Sequence, residues 1–226
     1  GLKTYNMLQK NLSIDYIFRE PKEIKTSNPL IILLHGYGSN EQDLFSFEAE
    51  LPDNAYIISV QAPYSLPGGY GFAWYAINFD AEMNKFTDDD QAMKSRDLIS
   101  TFIDELIQTY PIDANNITLI GFSQGAILSY AIAMTYPEKL KNVVALSGYF
   151  HPMIMPENFK ENPEIKKVNI FSSHGTVDQV IPIEWARQTP LIFKALQMDI
   201  EYKEYPVGHG VAPQNFYDFQ KWLLSK

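Results

Sequence analysis

Ser123 stands at the centre of Gly121-Phe122-Ser123-Gln124-Gly125, between the apolar runs Ile117-Thr118-Leu119-Ile120 and Ala126-Ile127-Leu128-Ser129-Tyr130-Ala131. That arrangement predicts a strand, a tight turn and a helix, with the serine at the apex. Bulky neighbours would clash where a backbone doubles back this sharply, so glycines flank the apex. The strained turn lifts the hydroxyl clear of the sheet. It also aims the Gln124 N–H, at the positive end of the following helix, toward any oxyanion forming beside the serine. The chemistry this suits is nucleophilic attack by Ser123.

A serine is a poor nucleophile at neutral pH; it needs a base, and the base needs a group to orient it. His209 lies in Pro206-Val207-Gly208-His209-Gly210, just beyond an expected strand at 200–205, which places it on the same rim of the sheet as Ser123. In sites built on such a turn the acid falls between the serine and the histidine. Asp178 and Asp199 are the aspartates in that interval. Asp199 precedes the strand at 200–205 and so lies at its amino end, on the wrong side of the sheet. Asp178 follows an expected strand at 168–173, within His174-Gly175-Thr176-Val177-Asp178, and is the expected partner. Glu184 falls on an expected helix and reads as solvated.

A second oxyanion donor is expected in Leu33-Leu34-His35-Gly36-Tyr37-Gly38, where Gly36 and Gly38 let the Tyr37 amide face a reacting carbonyl. His35 and His174, at strand ends, read as structural braces. His151, in Tyr149-Phe150-His151-Pro152, has no partner visible in the sequence and reads as a surface loop residue. No His-x-x-x-His pattern or carboxylate cluster suggests a metal, and no cofactor is expected. The triplet Asp88-Asp89-Asp90 reads as the acidic start of a helix, not as a metal site.

These residues need a scaffold. Near-continuous apolar runs at 30–35, 56–61, 116–121, 142–147 and 168–173 are those of strands buried on both faces. Residues 14–18 and 200–205 are expected strands nearer the sheet edges. Helices are expected at 41–50, 88–110, 124–135, 184–196 and 214–224. Thr87 is the expected cap of the second, and Pro111 its stop. Alternating strands and helices predict a single α/β domain over 1–226: a doubly wound, mostly parallel sheet with helices on both faces and ligands at the strands' carboxyl ends.

Bulk composition narrows the partners. The 226 residues carry a net charge of −9, are 46% hydrophobic and include no cysteine. Such charge argues against nucleic acid and against stable association with anionic membranes. Without cysteine there is no disulfide and no thiolate site. No apolar run reaches the roughly 20 residues of a membrane span, and no signal segment opens the chain. Cytoplasm is the default expectation.

Four blocks together resemble the phospholipase/carboxylesterase family of α/β-hydrolases, which includes acyl-protein thioesterases. They are GFSQG at 121–125, LHGYG at 34–38, HGTVDQVIP at 174–182 and GHG at 208–210. The resemblance implies the α/β-hydrolase fold, Ser123, Asp178 and His209 as catalytic residues, and the Tyr37 and Gln124 amides as oxyanion hole. Two departures bear on substrate. Trp74-Tyr75-Ala76 stands where thioesterase members usually have Trp-Phe-Asp, and Tyr37 where they tend to have leucine. Both argue against protein depalmitoylation and leave ester cleavage untouched.

Between Ala62 and Phe79 the chain is rich in aromatics and punctuated by glycine and proline. The segment follows the strand at 56–61, so it is expected either over the active-site rim or packed onto the domain. Trp74, Tyr75 and Phe72 are the candidate substrate contacts. Met153, Ile154 and Met155 are expected as a further apolar wall, as core, or as a homodimer contact. The reaction expected is hydrolysis of small to medium acyl esters, a small-molecule substrate class, through an acyl-enzyme. Thioesterase and lysophospholipase activity remain open, as does a non-catalytic ligand-binding relative of the same fold.

Overall fold

The computed structural model describes residues 2–226. In chain order the elements are β1 (Thr4–Gln9), β2 (Tyr16–Arg19), β3 (Asn28–Leu34), α1 (Gln42–Phe45) and β4 (Tyr56–Val60). Short strands β5 (Tyr64–Ser65), β6 (Phe72–Ala73), β7 (Ile77–Phe79) and β8 (Lys85–Thr87) follow. The chain then runs through α2 (Asp89–Thr109), β9 (Ile112–Phe122), α3 (Gln124–Thr135), β10 (Asn142–Leu146) and β11 (Asn169–Gly175). It closes with α4 (Ile183–Ala195), β12 (Ile200–Tyr205) and α5 (Pro213–Leu224).

Eight strands form one sheet in the order β1-β2-β4-β3-β9-β10-β11-β12. β1, β2 and β4 pair antiparallel, and from β4 onward every pairing is parallel. The apolar runs become strands buried on both faces because alternate side chains enter two separate cores. Leu30, Ile32 and Leu34 pack with Phe102 of α2, Ile127 of α3 and Phe193 of α4. Ile31 and Leu33 pack on the other face with Phe45 of α1 and Phe219 and Trp222 of α5. This two-sided burial makes the sheet edge a rigid platform.

The structure corrects several expected boundaries. β1 lies outside the apolar runs because it mixes polar with apolar side chains, none of them fully buried and Asn6 and Met7 exposed, as an edge strand allows. β9 begins at Ile112, four residues before the apolar run, where it pairs with Asn28. The helix expected at 41–50 is only the short α1 followed by a 3₁₀ turn at Glu48–Glu50. Beyond that turn, buried Arg19 ties down the loop: its guanidinium donates to the carbonyls of Glu48 at 2.6 Å and Ala55 at 3.0 Å, and also to that of Pro52. The cap of α2 is Asp88, whose carboxylate accepts the Gln91 N–H at 3.0 Å; Thr87 belongs to β8. Among the described residues, no helix is long and apolar enough to cross a membrane.

Candidate active site

The turn between β9 and α3 holds Ser123 at φ 56°, ψ −114°, a strained conformation for a residue with a side chain. Its N–H is anchored to the Leu146 carbonyl at 2.8 Å. The flanking glycines are sterically required. A Cβ on Gly125 would lie 2.1 Å from the Leu34 oxygen, and one on Gly121 would lie 2.4 Å from the Gly125 oxygen.

Two loops from neighbouring parallel strands bring the other candidates to this edge. Asp178 follows β11 and His209 follows β12, and their loops touch backbone to backbone. A Cβ on Gly175 would meet the Gly208 oxygen at 2.1 Å. His209 Nε2 lies 3.0 Å from Ser123 Oγ, and His209 Nδ1 lies 2.7 Å from Asp178 Oδ2. Because the carboxylate can only accept, the proton sits on Nδ1 and leaves Nε2 free to receive the serine proton. Asp178 Oδ1 accepts the N–H groups of Val180 at 2.8 Å and Ile181 at 2.9 Å. Burial by itself would raise the Asp178 carboxyl. Hydrogen bonds from Ile181 N–H, His209 and Val180 N–H outweigh it and hold the group below its ordinary value. The carboxylate is therefore charged wherever the imidazole could act as a base.

The Tyr37 and Gln124 amides are the expected oxyanion donors. Neither donates to an acceptor among the described residues, and both residues line the cleft with Ser123 and His209. Gly36 lies against the serine, where a Cβ would stand 3.3 Å from Ser123 Cβ. Gly38, at φ 77°, donates its N–H to the Phe72 carbonyl at 2.8 Å and fixes the loop. Gln124 N–H opens α3, so the helix dipole adds positive potential there.

The aromatic segment divides in a way its composition does not reveal. Trp74, expected as a substrate contact, is not among the residues that line the cleft. It is fully buried, and its indole N–H donates to the His35 carbonyl at 2.9 Å, away from the cleft. Phe72 is not among them either; its backbone pairs β6 with β5 and bridges to Ser39. Tyr75 alone of the three lines the cleft, although almost wholly buried. The Gln124 side chain, which the sequence did not single out, clamps this brace. Its Oε1 accepts Trp74 N–H at 2.7 Å and its Nε2 donates to the Tyr75 carbonyl at 2.9 Å.

The four histidines sort by environment. His35 braces, as expected: it takes the Ala62 N–H on Nε2 at 3.0 Å and contacts the Gly36 carbonyl through Nδ1 at 2.7 Å. Burial lowers its pKa and keeps it neutral. His174 is wholly buried behind Asp178. His151 is not a lone surface residue, since its Nε2 pairs with Asp89 Oδ1 at 2.8 Å. That second acidic residue of the triplet thus has a partner on a distant loop. Ile154 and Met155 are core and Met153 is exposed; none of the three walls the cleft.

The far wall comes from a hairpin. β7 and β8 pair Ile77 with Thr87 and Phe79 with Lys85, placing those four on one face, and all four line the cleft. Asp80 closes the turn by accepting the N–H groups of Glu82 and Asn84, each at 2.9 Å. Ile77 and Phe79, alternating with Asn78 just before Asp80, were the sequence signal for this wall. Ile127, Tyr149, Ile181 and Trp185 complete a cleft of about 620 Å³. Among the described residues no group of three or more metal-ligating side chains occurs.

Comparisons with known proteins agree with this architecture. Residues 20–225 match the phospholipase/carboxylesterase family. The chain is 31% identical over 232 residues to acyl-protein thioesterase 1 homolog 1 of Dictyostelium discoideum, covering 97% of this chain and 98% of that one. It is 28% identical over 221 residues to acyl-protein thioesterase 1 of Emericella nidulans, covering 88% and 91%. The crystal structure of a carboxylesterase from Mesorhizobium loti superposes with a TM-score of 0.82 at 14% identity, covering 97% and 99%, a likeness of fold. The chain belongs to the phospholipase/carboxylesterase family of α/β-hydrolases and is a hydrolase acting on esters.

Proposed function

We propose that the protein is a serine carboxylesterase cleaving small to medium acyl esters through an acyl-enzyme. The observation that carries this reading is the unbroken relay from Ser123 Oγ to His209 at 3.0 Å and from His209 to Asp178 at 2.7 Å. Ser123 Oγ attacks the ester carbonyl as its proton passes to His209 Nε2. Asp178 holds the imidazole in the required tautomer and offsets the imidazolium charge. The carbonyl oxygen becomes an oxyanion and accepts from the Tyr37 and Gln124 amides. Collapse breaks the bond to the alcohol, and His209 Nε2–H protonates the departing alkoxide. A water molecule then gives its proton to His209 and attacks the acyl-enzyme. The acid leaves and Ser123 regains its proton.

The cleft supports an apolar acyl or aryl group: its volume falls in the range that encloses a drug-sized ligand, and its walls are aromatic and aliphatic. The names of the relatives in Dictyostelium and Emericella favour a second reading, thioester cleavage on acylated protein, by the same machinery. Hydrolysis rates for esters from acetyl to palmitoyl, beside thioesters of matched acyl group, separate the two. A carboxylesterase peaks at short or medium chains and prefers the oxygen ester; a thioesterase peaks at palmitoyl and prefers sulfur. A fluorophosphonate probe should label Ser123. An inert serine in a folded protein would point instead to a ligand-binding relative without turnover.

A further inference from the structure

Of the residues that line the cleft, Lys85 alone carries a fixed charge, and no carboxylate is among them. Composition runs the other way, since the chain holds 27 acidic side chains against 18 lysines and arginines. Lys85 stands on β8 directly opposite Phe79 of β7, on the face whose Ile77 and Thr87 also line the cleft. Its ammonium, with three donors to offer, makes no ion pair or hydrogen bond among the described residues.

The acids nearest to Lys85 along the chain are engaged elsewhere. Asp80 closes the hairpin turn, accepting the N–H groups of Glu82 and Asn84 and the Asn84 side chain. Asp88 caps α2, and Asp89 accepts from Thr87 Oγ1 at 2.9 Å and pairs with His151 Nε2 at 2.8 Å. Glu82, also in the turn, does not line the cleft. Tyr75 and Tyr149 do line it, and their hydroxyls make no hydrogen bond among the described residues. Unspent donors and one cation, with no carboxylate to compete, are complementary to an anionic oxygen group.

Resting on the serine-esterase reading above, we propose that Lys85 is a specificity-determining residue that selects esters bearing a carboxylate away from the reacting carbonyl. The aliphatic and aromatic walls take the carbon chain, and the Lys85 ammonium meets the carboxylate at the hairpin. Apolar walls lower the local dielectric, so the attraction exceeds its value in bulk water. A net charge of −9 repels such a substrate from the rest of the surface, so the preference has to come from the cleft.

The test pairs the mono-p-nitrophenyl ester of suberic acid with p-nitrophenyl octanoate, which has the same acyl length and no carboxylate. A second pair, 4-carboxyphenyl butyrate and phenyl butyrate, puts the carboxylate on the alcohol side. The readout is the ratio of kcat/KM within each pair at low salt, where the attraction is least screened. Lys85→Met should lower the ratio by about three- to tenfold in at least one pair, and Lys85→Arg should keep it. The pair that responds tells which side of the ester carries the charge. Lys85→Gln serves as a second neutral variant should Lys85→Met not fold. Lys94→Met removes the same charge from an exposed site on α2 outside the cleft and should leave both ratios in place. Ratios unmoved in the neutral Lys85 variants, or moved equally in Lys94→Met, overturn the inference. Activity surviving in Ser123→Ala removes the serine relay itself and this inference with it; activity lost there alongside unmoved Lys85 ratios removes only the role of Lys85.

Discussion

On one side of the cleft, Ser123, His209 and Asp178 stand on loops whose backbones are pinned against each other by glycines with no room for a Cβ. On the other, Phe79 and Phe86 project from a two-stranded hairpin and are more than half exposed. The first region is fixed at every polar atom: each carboxylate oxygen of Asp178 and both ring nitrogens of His209 have partners. The second is held by one short ladder and the Asp80 turn. Chemistry that moves a proton over a hydrogen-bond distance needs the first construction, because small misplacement there is costly. A wall that meets apolar groups of varied length tolerates the second. Under the proposed function the hydrolytic step falls to the first part and the choice of substrate to the second, and substitutions should separate them.

The largest effect is expected on the pinned side. Asp178→Asn should keep the fold and lower kcat by about 10⁴-fold, because the amide favours the wrong imidazole tautomer. Steady-state kinetics on p-nitrophenyl butyrate check this, and a loss below tenfold would break the assignment of Asp178.

Gln124→Ala lies between the two regions. It strands the buried Trp74 N–H and frees the Tyr75 carbonyl, so about 1–3 kcal/mol of stability should go with it. With the brace loosened beside the oxyanion site, kcat should fall by about ten- to a hundredfold. Urea denaturation and kinetics on one preparation check both losses.

Smaller effects belong to the hairpin. Phe79→Ser combined with Phe86→Ser should lower kcat/KM for octanoyl esters by about tenfold while sparing acetyl esters, as apolar contact is lost. The melting temperature should hardly move, since both rings are exposed. Equal losses for every chain length would show that the hairpin serves the chemistry after all.

The smallest effect is on stability against acid. Asp178 is held below its ordinary value in the folded protein, so what its charge contributes is complete above the unfolded carboxyl value of about 3.9 and is lost as pH falls through the lower folded value. The part of the stability gap between parent and Asp178→Asn that the carboxylate charge supplies should be lost as pH falls below about 4 and not above it, as urea denaturation at a series of acid pH values would check.

How much could be read beforehand follows the same division. The turn at Ser123 and the loops carrying Asp178 and His209 were legible because close backbone approach restricts residue types: Gly121, Gly125, Gly175 and Gly208 mark places where chains touch or bend. Strand positions β3, β4, β10 and β12 were legible from unbroken apolar runs or from order along the chain. The aromatic segment was not, because an aromatic ring is equally suited to core, brace or cleft. Trp74 went to the core through a single indole hydrogen bond to His35, a contact between distant loops. The Gln124 side chain was hidden by its own backbone, whose role at the turn explained the residue without it. Arg19 is a third such case, since nothing in its own strand signals that it will take the carbonyls of Glu48, Pro52 and Ala55.

The central claim is tested most directly by replacing the hydroxyl alone. Ser123→Ala, with an unchanged circular dichroism spectrum and melting curve, should hydrolyse p-nitrophenyl butyrate about 10⁴–10⁶-fold more slowly and take up no fluorophosphonate. A folded Ser123→Ala protein that turns over this ester within tenfold of the parent rate would contradict it.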